Sequence, residues 1–145
     1  MEEPRLKLSF EEASRVAERV DFSKMGGLVP VVVQDAGTGA VLMQAFMDRE
    51  ALIKTLTTGY MHYWSRSRRK LWMKGETSGN TQAVREAWLD CDGDALLFKV
   101  AQRGLCCHEG LYTCFHNEIA SLPTSARGRP TIVNPRSGGS FGQGP

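Results

Sequence analysis

Cys91, Cys106, Cys107 and Cys114, with His108 beside the third, are the side chains best suited to soft-metal or nucleophilic chemistry. No Cys-x-x-Cys pair can be drawn, so zinc-finger and thioredoxin patterns fail. Cys107, His108 and Cys114 fall in "CCHEGLYTC", which is expected to be a short loop between two strands. Cys91 stands at the start of the preceding strand, able to approach across the sheet or from a second subunit. Three thiolates suit zinc and leave a fourth position for water or histidine. An open position lets zinc bring the pKa of a bound water towards ~7, although three thiolates blunt that acidity. A base such as His108 would then help. Buried structural thiols account for the same spacing equally well.

Asp90, Asp92 and Asp94, in "DCDGD", add hard oxygen donors beside the first cysteine. On a strand, alternation would put the three carboxylates on one face and Cys91 on the other. Converging carboxylates repel unless a hard cation, magnesium or calcium, joins them. The spacing opens like an EF-hand loop, but the sixth and twelfth positions are Ala95 and Ala101 instead of Gly and Glu, so that reading fails. Taken alone, the stretch is explained better by an acidic hairpin turn than by a metal site, because Asp-Gly favours such turns. If the two faces separate carboxylates from sulfur, two metals are simpler than one.

"SRSRRK" (65–70) and "KGETSGN" (74–80) gather cationic forks, hydroxyls and accessible backbone amides, the parts of an anion site. The Walker pattern is absent. Trp64, Tyr63 and Trp72 interleave aromatics with this charge, as single-stranded nucleic-acid binders do, but strand packing explains them at least as well.

These groups must be positioned by one domain: 145 residues with 41% hydrophobic content suffice for a single core. A net charge of +2 gives no broad footprint for nucleic acid or membrane. No apolar run reaches the length of a membrane span, and "MEEPRLKLSF" lacks the form of a signal peptide, so a cytoplasmic protein with reduced thiols is expected. A capped helix is predicted from about Phe10, strands in "LVPVVVQD" and "AVLMQAFM" about the turn "AGTG", and a helix from the Asp48 cap to the Gly59 stop. Extended segments follow in "YMHYWS", "KLWMKG", "TQAVREAWLDC" and "DALLFKVA". The order β-β-α-β-β-β-β predicts an α+β fold, an antiparallel or mixed sheet, half-barrel-like, with helices at its ends. Residues 1–122 form this domain, and 123–145 read as a flexible Gly/Pro/Ser-rich tail.

Taken in order, "GLVPVVVQD", "VLMQAFM", "YWSRSRRKLWMKGETSGNTQAV", "DCDGDALLFKV" and "CHEGLYTCF" resemble the phosphoribosyl-AMP cyclohydrolase family of histidine biosynthesis, from Gly27 to Phe115. The resemblance implies hydrolytic opening of the adenine ring of 1-(5-phosphoribosyl)-AMP by zinc-activated water with magnesium, in a homodimer whose zinc site is shared across the interface. It implies Cys91, Cys107 and Cys114 as zinc ligands, with Cys91 serving the partner's site, Asp90, Asp92 and Asp94 as magnesium ligands, and His108 as the proton shuttle. Arg66, Arg68, Lys70, Lys74, Thr77 and Ser78 are candidates for the substrate phosphates. Cys106 stands where a small residue or proline is common and reads as a bystander, while Glu109 and His116 lie outside the pattern. The chain is short for members carrying a fused second enzyme, so one activity is expected, with a small nucleotide as partner and neither nucleic acid nor membrane. Rival readings are a small zinc module that binds RNA and a closed structural zinc domain.

Overall fold

The computed structural model of the chain describes residues 4–123, and the tail expected from Pro123 lies, from residue 124 onward, outside the described residues. Helix α1 (Phe10–Glu18) begins where a capping box closes. The Ser9 hydroxyl accepts from the Glu12 N–H at 3.1 Å and the Glu12 carboxylate accepts from the Ser9 N–H at 2.9 Å, satisfying two otherwise orphaned donors. Helix α2 (Arg49–Thr58) starts at Asp48, which accepts from the Ala51 N–H, and stops at Gly59, whose left-handed φ of 81° suits a residue without Cβ. Both ends agree with the sequence expectation.

Strands β1 (Val29–Asp35) and β2 (Val41–Met47) pair antiparallel through the Gly-rich turn. Strand β5 (Gln82–Leu89) pairs antiparallel with β6 (Leu96–Gln102), and β6 lies parallel to β1, giving a mixed, open sheet in the order β2-β1-β6-β5. Val29, Val31, Val33, Leu96, Phe98 and Val100 alternate onto one face and are buried with Ala13, Ala17, Leu52 and Leu56 of the two helices. The opposite face is only partly covered: Val32 and Trp88 are exposed, and both oppose Leu97 in the register.

Strands β3 (His62–Ser65) and β4 (Lys70–Met73) form a separate two-stranded sheet instead of extending the main one. Its strands satisfy each other, and the backbone meets β5 at the Tyr60–Ala83 bridge and through the Met61 N–H on Gln82. Tyr63 is fully buried against Trp72, centroids 5.2 Å apart, and donates to Gln82 at 2.5 Å.

Two expectations about local geometry are corrected. Asp90–Asp94 is the hairpin turn between β5 and β6 and not a strand, so face alternation does not separate its side chains. The cysteine loop follows β6, but no strand follows it among the described residues.

Candidate functional site

The acidic turn brings its carboxylates together by closing tightly. Gly93, at φ 78°, donates to the Asp90 carbonyl, and Asp90 Oδ1 accepts from the N–H groups of Asp94 and Ala95 at 2.9 and 3.2 Å. One carboxylate thus builds the turn that gathers the other two, and ligand oxygens of Asp90, Asp92 and Asp94 all lie within 4.8 Å of one another. Lys24, from a short 3-10 turn at Ser23–Met25, reaches in as a counter-charge, 3.0 Å from Asp94 and 3.5 Å from Asp92. Its hydrogen bond lowers the Asp94 pKa, while a hydrogen bond with Asp94, slight desolvation and its acidic neighbours raise that of Asp92. A clustered all-oxygen donor set fits a hard divalent cation.

The cysteine loop is fastened to the β1–β2 hairpin. Tyr112 donates to Asp35 at 2.6 Å, and its hydroxyl pKa is pushed up to about 12 by burial and by that bond. Buried Thr113 donates to the Val41 carbonyl at 2.8 Å, and the Cys114 N–H donates to Leu42 at 2.8 Å. Cys106 is 1% exposed, packed in the core with its sulfur 3.7 Å from the Leu42 carbonyl and from Gln82. A tight turn, Gly110 N–H to the Cys107 carbonyl and Cys107 N–H to Leu111, presents the Cys107 thiol. Hydrogen bonding from Cys106, then from Cys107, holds the Cys114 thiol down at about 6, with help from the charge of Lys74. The structure therefore brings Cys107 and Cys114 together and favours thiolate at Cys114, as zinc binding needs. His108 is exposed in the same loop.

Cys91 lies exposed in the acidic turn and joins no donor group with Cys107 within the single chain, among the described residues. Glu109 and His116, which the sequence pattern left without a role, do join Cys107: His116 Nε2 is 3.7 Å from its sulfur and 3.5 Å from Glu109 Oε1. A Cys-x-Glu spacing with a histidine two residues after Cys114 was the available signal, and it is weak without the fold.

Arg68, Lys70, Lys74, Thr77 and Ser78 line one cleft of about 330 Å³, together with Trp72 and Glu76. Arg66 instead stacks over the Phe46 ring, 4.0 Å from its centroid. The loop after β4 is shaped by Gly75, at φ 82°, where a Cβ would meet Asn80 backbone at 2.4 Å. Lys74 links the two regions, because its ammonium donates to the Cys106 carbonyl at 2.5 Å while its neighbours line the cleft. Cations, hydroxyls and bare amides in a concave site beside metal-competent thiolates can seat a phosphorylated molecule next to a hydrolytic centre.

The family described as phosphoribosyl-AMP cyclohydrolase matches residues 43–116. A phosphoribosyl-AMP cyclohydrolase of Pelotomaculum thermopropionicum is 67% identical over 93 residues, 64% of this chain and 72% of the relative. That of Salinibacter ruber is 60% identical over 103 residues, covering 71% and 80% of the two chains. That of Sulfurisphaera tokodaii is 49% identical over 117 residues, covering 81% of this chain and 99% of the relative.

Proposed function

The chain belongs to the phosphoribosyl-AMP cyclohydrolase family of hydrolases, and from that premise we propose that it opens the adenine ring of 1-(5-phosphoribosyl)-AMP by hydrolysis, giving the phosphoribosyl-formimino imidazole carboxamide ribotide of histidine biosynthesis. The observation that carries this reading is the meeting of the basic cleft with the cysteine loop through Lys74. A nucleotide with a phosphate in the cleft would extend its base towards Cys107 and Cys114.

Zinc at Cys107 and Cys114, with Cys91 of the partner subunit as third ligand, would supply the Lewis acidity that makes water nucleophilic near neutral pH. The remaining steps fall to the chain's own groups. Water adds to carbon 6 and gives up one proton to His108, which is exposed beside Cys107 and free to exchange it. His108 delivers that proton to nitrogen 1 as the bond between nitrogen 1 and carbon 6 breaks, while the second water proton leaves the added oxygen for the exocyclic imino nitrogen, so that carbon 6 becomes the carbonyl of a carboxamide. Arg68, Lys70, Lys74, Thr77 and Ser78 hold the phosphates, and Arg66 adds charge from its place over Phe46. Magnesium at Asp90, Asp92 and Asp94 would need Lys24 to swing aside, leaving the carboxylates to bind the ion together with substrate oxygens.

A homodimer accords with the half-covered sheet face, where Trp88, Leu97 and Val32 form a row that a second copy would bury. Four unpaired cysteines suit a reducing compartment, and we place the enzyme in the cytoplasm; no helix among the described residues is long and apolar enough to cross a membrane. RNA binding is less well supported, since Tyr63 and Trp72 pack on each other instead of offering two free stacking faces.

The test is to follow the ultraviolet change on ring opening with phosphoribosyl-AMP, zinc and magnesium. Turnover is expected, and Cys107→Ala should lose zinc and activity together. No turnover with both metals loaded, or full activity in the variant without zinc, would overturn the assignment.

A further inference from the structure

Strand β5 begins at Gln82, just after the loop that lines the basic cleft, and β6 ends at Gln102, just before the segment that carries the cysteines. The two glutamines oppose each other in the β5–β6 register, so the last rung of the ladder stands between the two halves of the site. Gln82 and Tyr63 are both fully buried. Tyr63 donates to Gln82 Oε1 at 2.5 Å, and Gln82 Nε2 donates to Gln102 Oε1 at 2.8 Å. Gln102 Nε2 then donates to the carbonyls of Arg103 at 2.9 Å and Asn80 at 3.4 Å. The direction of this chain is forced from one end. Backbone carbonyls only accept, so Gln102 must turn its NH2 to them and its oxygen to Gln82. Gln82 must then present its own NH2 to Gln102, which leaves its oxygen for the Tyr63 hydroxyl.

The last donor spans two loops. Asn80 closes the cleft loop, Arg103 opens the segment leading to Cys106 and Cys107, and one amide bonds to both. Beside it the Arg103 N–H donates to the Thr81 carbonyl at 2.9 Å, and Gly104 admits the Asn80 side chain, whose amide oxygen a Cβ there would overlap. At the other end of the cleft loop, the Lys74 ammonium holds the Cys106 carbonyl. The two loops are thus tied at both ends. Filling the core does not call for glutamine on this rung, since apolar side chains would occupy it without the cost of desolvating two amides.

We propose that Gln82, acting through Gln102, is a positioning residue that holds the basic cleft and the cysteine loop at one fixed separation, so that a nucleotide seated by its phosphate meets the hydrolytic centre with its base in register. The proposal rests on the ring-opening reading and extends it to side chains that touch neither substrate nor metal. Losing the clamp leaves each half of the site intact but misaligned, and a misplacement of about 1 Å costs about 100-fold in rate. The loss therefore appears in kcat.

Three variants of the full-length, metal-loaded protein test this. Gln82→Met keeps the volume and removes the amide, whereas Gln102→Leu, at a half-buried position, breaks the clamp and leaves Tyr63 paired with Gln82. Tyr63→Phe deletes a buried hydroxyl outside the clamp. Gln82→Met and Gln102→Leu should each lower kcat on phosphoribosyl-AMP about 10–100-fold, with KM, zinc content and Kd for AMP within about threefold of wild type. Tyr63→Phe should lower the urea midpoint yet keep kcat within about threefold. Native-state amide exchange gives a readout independent of turnover. The Gly79 and Cys107 N–H groups, which bond to Gly75 and Leu111, should exchange at least about fivefold faster in Gln102→Leu, while those of the central strands β1 and β6 stay unchanged. If circular dichroism shows Gln82→Met unfolded, Gln102→Leu carries the test alone. Wild-type kcat in folded Gln102→Leu, an equal loss in Tyr63→Phe, or unchanged exchange in both loops would each overturn the proposal. Loss of zinc or of AMP binding in step with kcat would overturn it too, because the pair would then build one half of the site instead of joining two. No turnover by wild type with both metals loaded would overturn the ring-opening assignment and this role in it together, even where exchange still shows the loops tied.

Discussion

Two glycines in the loop after β4 offer a controlled perturbation of the substrate cleft. Gly75 and Gly79 have nearly equal backbone angles, φ 82° and 83°, so alanine at either meets the same left-handed penalty of about 1–2 kcal/mol. Their surroundings differ. A Cβ at Gly79 meets nothing within 4 Å, whereas one at Gly75 would fall 2.4 Å from the Asn80 carbonyl carbon, 2.5 Å from the Thr81 nitrogen and 2.6 Å from the Asn80 oxygen. These are backbone atoms and cannot yield as a flexible side chain would. Overpacking of this kind costs about 1–3 kcal/mol more. Gly79→Ala should therefore destabilise by about 1–2 kcal/mol and Gly75→Ala by about 2–5 kcal/mol, within the stability of an ordinary domain. Urea unfolding at constant m-value reads the difference directly. Because Lys74 and Thr77 flank the strained turn, Gly75→Ala should also raise KM for the phosphorylated substrate more than Gly79→Ala does. Equal midpoints and equal KM for the two variants would refute the view that close backbone approach at Gly75 shapes the cleft.

The metal-free protein should be alkylated first at Cys114. Its thiol pKa is lowered to about 6, so its iodoacetamide rate should rise with pH up to about 7 and then level, while buried Cys106 stays unmodified; mass mapping of the peptides checks this. Lys24→Ala should tighten magnesium binding, measured by calorimetry, because the ammonium that shares Asp92 and Asp94 is gone; weaker binding would make Lys24 a helper instead of a competitor. Trp88→Glu, on the half-covered sheet face, should shift the protein towards monomer in sedimentation while leaving the core intact. Thr113→Val should weaken metal retention through the loop, since its hydroxyl bonds to Val41 and Leu42 hold Cys114 in place.

The elements themselves were legible because their signals are local. The Ser9 capping box, the Asp48 cap, the Gly59 stop and the alternation of Val29, Val31 and Val33 depend on neighbours a few residues away. The main misreading, strand geometry at Asp90–Asp94, came from a stretch whose composition suits both strand and turn. Only the pairing of Leu89 with Leu96 makes it a hairpin loop. The placement of β3 and β4 in their own sheet was hidden for the same reason: strand pairing is a long-range choice that period-2 alternation does not encode.

By itself, the sequence determined the family, the helix ends, the strand-forming segments and the chemical types of the candidate ligands, because each is written in residue identity and short spacing. Tertiary structure alone decided which of those groups meet. It set Lys24 against the acidic turn across 68 and 70 residues, joined Lys74 to the cysteine loop across 32, and placed Glu109 and His116 about Cys107. It also left Cys91 outside that cluster in the single chain. Such meetings depend on where a strand pairs and a loop is anchored, and these are settled by burial of the whole core and not by any one motif.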